Sequence, residues 1–100
     1  MAKIKLSLPS WIAAKLEIQS SGWLTLEKEV GEGSTISDFL VGMVMTYPGF
    51  REAVYDPDAG LVNEQINVVL NDRLLTFGEI SRVKLSDGDS IVLLPLYYGG

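Results

Sequence analysis

One apolar stripe, bounded by a start signal and a stop signal, constrains this chain more than any other feature. Ile36, Phe39, Leu40, Met43, Val44 and Tyr47 recur at spacings of three and four, the period of a helix with one buried face. Thr35 stands where an N-cap belongs, and Asp38 falls three positions later, in the turn where a negative charge is favourable. Pro48-Gly49 should stop the helix. The stripe could be mistaken for a cofactor box, but core packing explains it better.

Strands flank this helix. Lys3 to Leu8 alternates polar and apolar residues, so Ile4, Leu6 and Leu8 should face a core. Pro9-Ser10 breaks the pattern, and Ser10 can cap a short helical turn over residues 11–16. Trp23 to Val30 reads as a second strand hairpinned on the first. After the helix, residues 50–55 suggest another short helical segment, and residues 56–60 hold strong turn chemistry. Ile66 to Asn71 reads as a third strand, Arg73 to Leu75 as a short fourth reached through Asn71-Asp72, and Ile91 to Leu94 as the last. A tight turn falls at residues 85–89. A hairpin, a crossing helix and a returning pair close one mixed sheet of four to five strands with one main helix across it. The expected fold class is therefore α+β, a ubiquitin-like β-grasp, with the first and last strands parallel at its centre. Residues 1–100 form a single domain, with 97–100 as a flexible C-terminal tail.

Composition removes whole classes of chemistry. With no cysteine and no histidine, disulfides, thiolate nucleophiles, zinc-cysteine sites and imidazole acid-base catalysis are all excluded, and the serines lack a histidine to activate them. The net charge is −5 and the eight basic residues are scattered, so no basic stripe invites nucleic acid. The acidity suits a basic partner surface, or simply solubility. Neither a leader-like apolar segment nor a run long enough to span a membrane is visible, which points to a soluble cytoplasmic protein. Hydrophobic residues at 47% and charged residues at 21% support a packed core. Asp87 and Asp89 flank Gly88, but a calcium loop's ligand series does not continue, so a turn is the better reading. Gly31-Glu32-Gly33 before the helix suggests an anion site only weakly, because Glu32 would repel a phosphate.

The end of the sequence is different. Gly99-Gly100 has no packing role there, and without Cβ atoms it leaves a carboxylate open and able to thread a narrow channel. The stretch from Val68 to Asn71, the turn at residues 85–89, Ile91 to Pro95 and the closing Gly99-Gly100 together resemble the MoaD/ThiS family of ubiquitin-like sulfur-carrier proteins. Pro95 and the residues after it look closer to MoaD, the small subunit of molybdopterin synthase. The chain departs from that pattern at Tyr97-Tyr98, where smaller residues would be usual, and in a longer segment over residues 50–64.

The resemblance implies a carrier with no catalytic residues of its own and no permanently bound cofactor. A ubiquitin-activating-type adenylating enzyme, MoeB/ThiF-like, would use ATP and magnesium to adenylate Gly100. Sulfur would then displace AMP to give a thiocarboxylate. A sulfur-accepting partner, such as a molybdopterin synthase large subunit, would take the sulfur. Thiamin, transfer RNA, cysteine and tungsten cofactors stay open as other destinations, as does conjugation of Gly100 to lysines as a protein modifier. By strand alternation, Val69, Val92 and Leu94 face away from the core. With Pro95, Leu96, Tyr97 and Tyr98 they form the expected partner-binding surface, unless residues 50–64 cover the patch.

Overall fold

The computed structural model describes residues 1–95. Eleven elements follow in order. They are β1 (Ala2–Leu8), α1 (Ser10–Lys15), β2 (Leu24–Val30), α2 (Ile36–Thr46), α3 (Gly49–Ala53), β3 (Tyr55–Asp56), β4 (Leu61–Val62), β5 (Ile66–Leu70), β6 (Arg73–Leu74), a 3-10 turn (Phe77–Glu79) and β7 (Ser90–Pro95). Five of the strands make one sheet in the order β2-β1-β7-β5-β6. β1 and β7 run parallel at its centre, and the other neighbours run antiparallel. This is the β-grasp the sequence predicts.

Alternation divides the sheet into two faces. Ile4, Leu6 and Leu8 of β1, Ile66, Val68 and Leu70 of β5, and Ile91 and Leu93 of β7 are buried. They meet Ile36, Phe39, Leu40 and Met43 of α2 in one continuous core, and burying each such large side chain favours folding by about 1.5–3 kcal/mol. The helix start is fully tied down. Asp38 N donates to Thr35 Oγ1 at 3.1 Å and Thr35 N to the Asp38 carboxylate at 3.0 Å, a reciprocal capping box. Ile36 N donates to the Val83 carbonyl and Ser37 N to that of Ile80. With these N–H groups occupied, the helix N-terminus offers no free donor to the weak anion reading of residues 31–33.

Some boundaries differ from the expectation. Ser10 is the first residue of α1, not its cap; Pro9 occupies the cap position and no side chain bonds there, since proline's fixed φ suits the entry to a helix. β2 begins at Leu24, so Trp23 precedes it, and Asn71 leaves β5 for the turn. Asn71 and Asp72 both adopt positive φ (49° and 69°), the geometry of a two-residue hairpin turn. The segment over residues 50–55 is helical only to Ala53, and Tyr55 starts a two-stranded ribbon with β4.

That segment packs on the helix side of the sheet, where α3 lies against α1 and α2, and β3 against α2. Tyr55 and Ser37 hydroxyls are hydrogen-bonded at 2.8 Å. Gly49 is required where α3 begins, because a Cβ there would collide with the Lys15 carbonyl at the end of α1. Among the described residues no helix is long and apolar enough to cross a membrane.

Candidate functional site

The site is built on β7. Its backbone is held from both sides, by β1 at Ser90 to Val92 and by β5 at Ile91 to Pro95. Pro95, the last residue of β7, lies opposite Ile66. The five residues 96–100 follow it. Leu96, Tyr97, Tyr98, Gly99 and Gly100 lie outside the described residues, as does the expected flexibility of residues 97–100.

The turn leading into β7 is tied to the strands beside it. Asp87 Oδ1 accepts from Lys3 N at 2.7 Å, linking the turn to β1. Asp89 accepts from Ser86 N at 2.7 Å and from Asn71 Nδ2 at 2.9 Å, linking it to the β5-β6 turn. Asn71 in turn accepts from Ser90 N at 2.9 Å. These carboxylates fix the start of β7 through charge-assisted hydrogen bonds. Among the described residues, no group of three or more acidic side chains is placed to hold a metal ion.

The open face of the sheet carries the apolar residues that alternation places there. Val69 and Val92 are direct cross-strand neighbours, and both are half-buried, as are Leu94 and Pro95. Residues 50–64 do not cover them, because that segment occupies the opposite side of the sheet. Leu74 extends the patch. It lies opposite Val69 and is 57% exposed, so the apolar line runs from Leu74 through Val69 to Val92. The sequence contained the signal for Leu74: a two-residue turn at Asn71-Asp72 pairs residue 70 with 73 and therefore 69 with 74, on one face.

Near this edge Glu79 accepts from Thr76 N (2.9 Å), Thr76 Oγ1 (3.1 Å) and Arg73 Nη1 (2.7 Å). The Thr76 backbone N–H, followed by Arg73, lowers its carboxyl from 4.5 to about 2. The pair anchors β6 to the 3-10 turn, and its exposure to solvent makes it a local brace.

Comparison with known proteins agrees with this architecture. The crystal structure of Haloferax volcanii small archaeal modifier protein 1 superposes with a TM-score of 0.74 at 23% identity, covering 97% of this chain and all of that one. The putative molybdopterin converting factor, subunit 1, of Pyrococcus furiosus gives 0.68 at 20% identity, covering 97% and 100%. Among curated proteins, the sulfur carrier protein CysO of Mycobacterium tuberculosis is 29% identical over 69 residues, 68% of this chain and 74% of that protein. The model of the ThiS family matches residues 14–100. That match takes in every strand of the sheet except β1 and extends through Gly100, and on it the chain belongs to the ThiS family.

Proposed function

We propose that this chain carries sulfur on its C-terminal Gly100 and is not itself an enzyme. The observation that carries the reading is the placement of β7: a central strand clamped by two neighbours, with the family match running on through residues 96–100. Five residues beyond Pro95 span at most about 17 Å when extended. That reach presents a carboxylate to another protein's active site while the domain docks through Leu74, Val69, Val92 and Leu94. Pro95, Leu96, Tyr97 and Tyr98 would line the entry to that site, and the small Gly99-Gly100 would thread it.

A carboxylate resists nucleophiles until it gains a leaving group. In the proposed cycle an adenylating partner of MoeB/ThiF type joins Gly100 to the AMP portion of ATP, with magnesium, and releases pyrophosphate. A persulfide then attacks the acyl carbon and AMP leaves, and a thiol cleaves the resulting acyl disulfide, leaving with the donor sulfur as a disulfide. The product is a thiocarboxylate, which a second partner consumes to restore the carboxylate. The sulfur rides on the backbone terminus, so a chain without cysteine can carry it.

For the destination we propose molybdopterin, on the likeness of Pro95 and its successors to MoaD. Delivery to a different acceptor is the second reading, supported by the curated relative, which is named a sulfur carrier protein without reference to molybdopterin. Reconstitution with the activating enzyme, ATP, a persulfide donor and a thiol reductant tests the carrier role. Loading should add about 16 mass units, the difference between sulfur and oxygen, and fragmentation should place the shift at Gly100 rather than at a methionine sulfoxide. Equal loading of a chain lacking Gly99 and Gly100 would overturn it. Gly100 joined to lysine side chains, with no thiocarboxylate, would establish a protein modifier instead.

A further inference from the structure

Among the described residues, the outer edge of β2 has no strand beside it. Lys5 N bonds to the Asp89 carbonyl, so the backbone groups of Lys3, Lys5 and Ser7 point to β7 and those of Ala2, Ile4, Leu6 and Leu8 point to β2. Through the register Ile4↔Lys28 and Leu6↔Leu26, Leu24, Leu26, Lys28 and Val30 use their backbone groups on β1. The N–H and C=O groups of Thr25, Glu27 and Glu29 therefore point outward. Among the described residues no hydrogen bond uses them.

Beside this edge, between β2 and α2, runs a groove of about 160 Å³. Val30, Phe39, Gly42 and Met43 form its apolar floor, and Lys28, Glu29, Asp38 and Thr46 complete its lining. Gly42 keeps it open, since a Cβ there would meet nothing within 4 Å. Met45, 81% exposed, stands one helical turn along from Gly42. The Lys28 ammonium is engaged by Tyr47, its Nζ 3.2 Å from the hydroxyl and 5.0 Å from the ring centroid.

We infer that this edge accepts an extended segment of a partner protein as an added strand, and that the segment alternates apolar and basic residues. Strand addition uses the free backbone groups for affinity and alternate side chains for selection. Residues opposite Glu27 and Glu29 share their face of the sheet, so basic side chains fit there. Residues opposite Leu26, Lys28 and Val30 enter the groove, so apolar ones fit there. β1 already meets β2 in this way on the other side, setting Lys5 opposite Glu27, Lys3 opposite Glu29, and Ile4 and Leu6 toward the core.

A second copy is disfavoured by the same charges in two of the registers it could adopt. Centring β2 on another β2 at Glu27 sets Glu27 against itself, and centring it at Lys28 sets Glu27 against Glu29, which like charges oppose. In the sheet order, β1 separates β2 from β7. An added strand therefore does not touch β7, and the inference stands apart from sulfur carriage.

The test uses the full chain, isotopically labelled, and a synthetic peptide copying Ala2–Leu8 (AKIKLSL). A control peptide carries glutamate at both lysine positions. The basic peptide should saturate, shift the amides of Thr25, Glu27 and Glu29, and slow their hydrogen exchange, while the control binds about tenfold more weakly. The double variant E27K/E29K should reverse that preference, a charge-swap rescue that mere destabilisation cannot produce. Gly42→Leu, which fills the groove, should abolish binding of both peptides while the fold persists. Unchanged amides at Thr25, Glu27 and Glu29 with millimolar peptide would overturn the inference, as would equal affinity for the two peptides. So would shifts confined to β1 and β7, or concentration-dependent protection of the same amides without any peptide.

Discussion

Two adjacent leucines on β7 should respond in opposite ways to substitution. Leu93 is fully buried between the sheet and the helices. Leu93→Ala removes buried methyl groups and leaves a cavity, at a cost of about 2–5 kcal/mol. A domain of this size has only about 5–15 kcal/mol in total, and each kcal/mol moves Tm by about 4–8 °C. The melting temperature should therefore fall by about 8–40 °C. Leu94, the next residue, lies opposite Asn67 on the open face and is half-buried. Leu94→Glu should cost about 1 kcal/mol or less, the range of strand preference on an uncovered face. Its effect should appear in docking, where losing an apolar contact and adding a charge weakens association with the adenylating partner about ten- to thirtyfold. Thermal melts and the partner-dependent rate of pyrophosphate release separate the two effects. If Leu94→Glu collapses the fold as Leu93→Ala does, the facing of β7 is wrong. If it changes neither quantity, the open face is not the docking surface.

Other outcomes follow from the same structure. Deleting Gly99 and Gly100 should abolish sulfur loading without shifting the melt, since it shortens the reach by about 7 Å; Gly100→Ala should load at an intermediate rate, and mass spectrometry of the reconstituted reaction checks both. Gly49→Ala should destabilise the domain by about 1–3 kcal/mol, because its Cβ meets the Lys15 carbonyl backbone, whereas Gly42→Ala in α2 should be neutral or stabilising by up to about 1 kcal/mol; urea melts of the two variants give the contrast. Because Glu79's folded pKa of about 2 lies below the ordinary carboxyl value near 4.3, its contribution is present above the unfolded pKa. That contribution is lost as pH falls from about 4 to about 2. A carbon-detected NMR titration of the Glu79 carboxyl reads the midpoint directly, and a midpoint near 4 would refute the bracing by Thr76 and Arg73.

Much of this protein is legible in local pattern. The stripe from Ile36 to Met43 sets where α2 lies and which face it buries, because helical periodicity is a property of neighbouring residues. Thr35 and Asp38 mark the helix start for the same reason, and alternation alone assigns Ile91 and Leu93 to the core and Val92 and Leu94 to the open face. Asn71-Asp72 specifies its own turn, since those residues tolerate positive φ. The terminal Gly99-Gly100, with the resemblance around it, points to the family before any fold is seen.

Tertiary structure decides whatever depends on elements distant in sequence. The pattern over residues 50–64 does not reveal the side on which the segment packs; the fit of α3 against α1, which only glycine at position 49 permits, puts it with the helices and leaves Val69 and Val92 uncovered. Asp87 and Asp89 read as turn residues, but that they clamp β1 and the β5-β6 turn depends on three strands arriving together. Ser10 has a capping side chain, yet it enters the helix because Pro9 sets the backbone there. Among the described residues, the lateral order of the sheet makes β2 an edge and turns the backbone groups of Thr25, Glu27 and Glu29 outward. The physical reason is common to all of these: a residue's period and turn preference are fixed by its near neighbours, whereas its contacts across a sheet belong to pairs such as Lys3 and Asp87, which only the folded chain brings together.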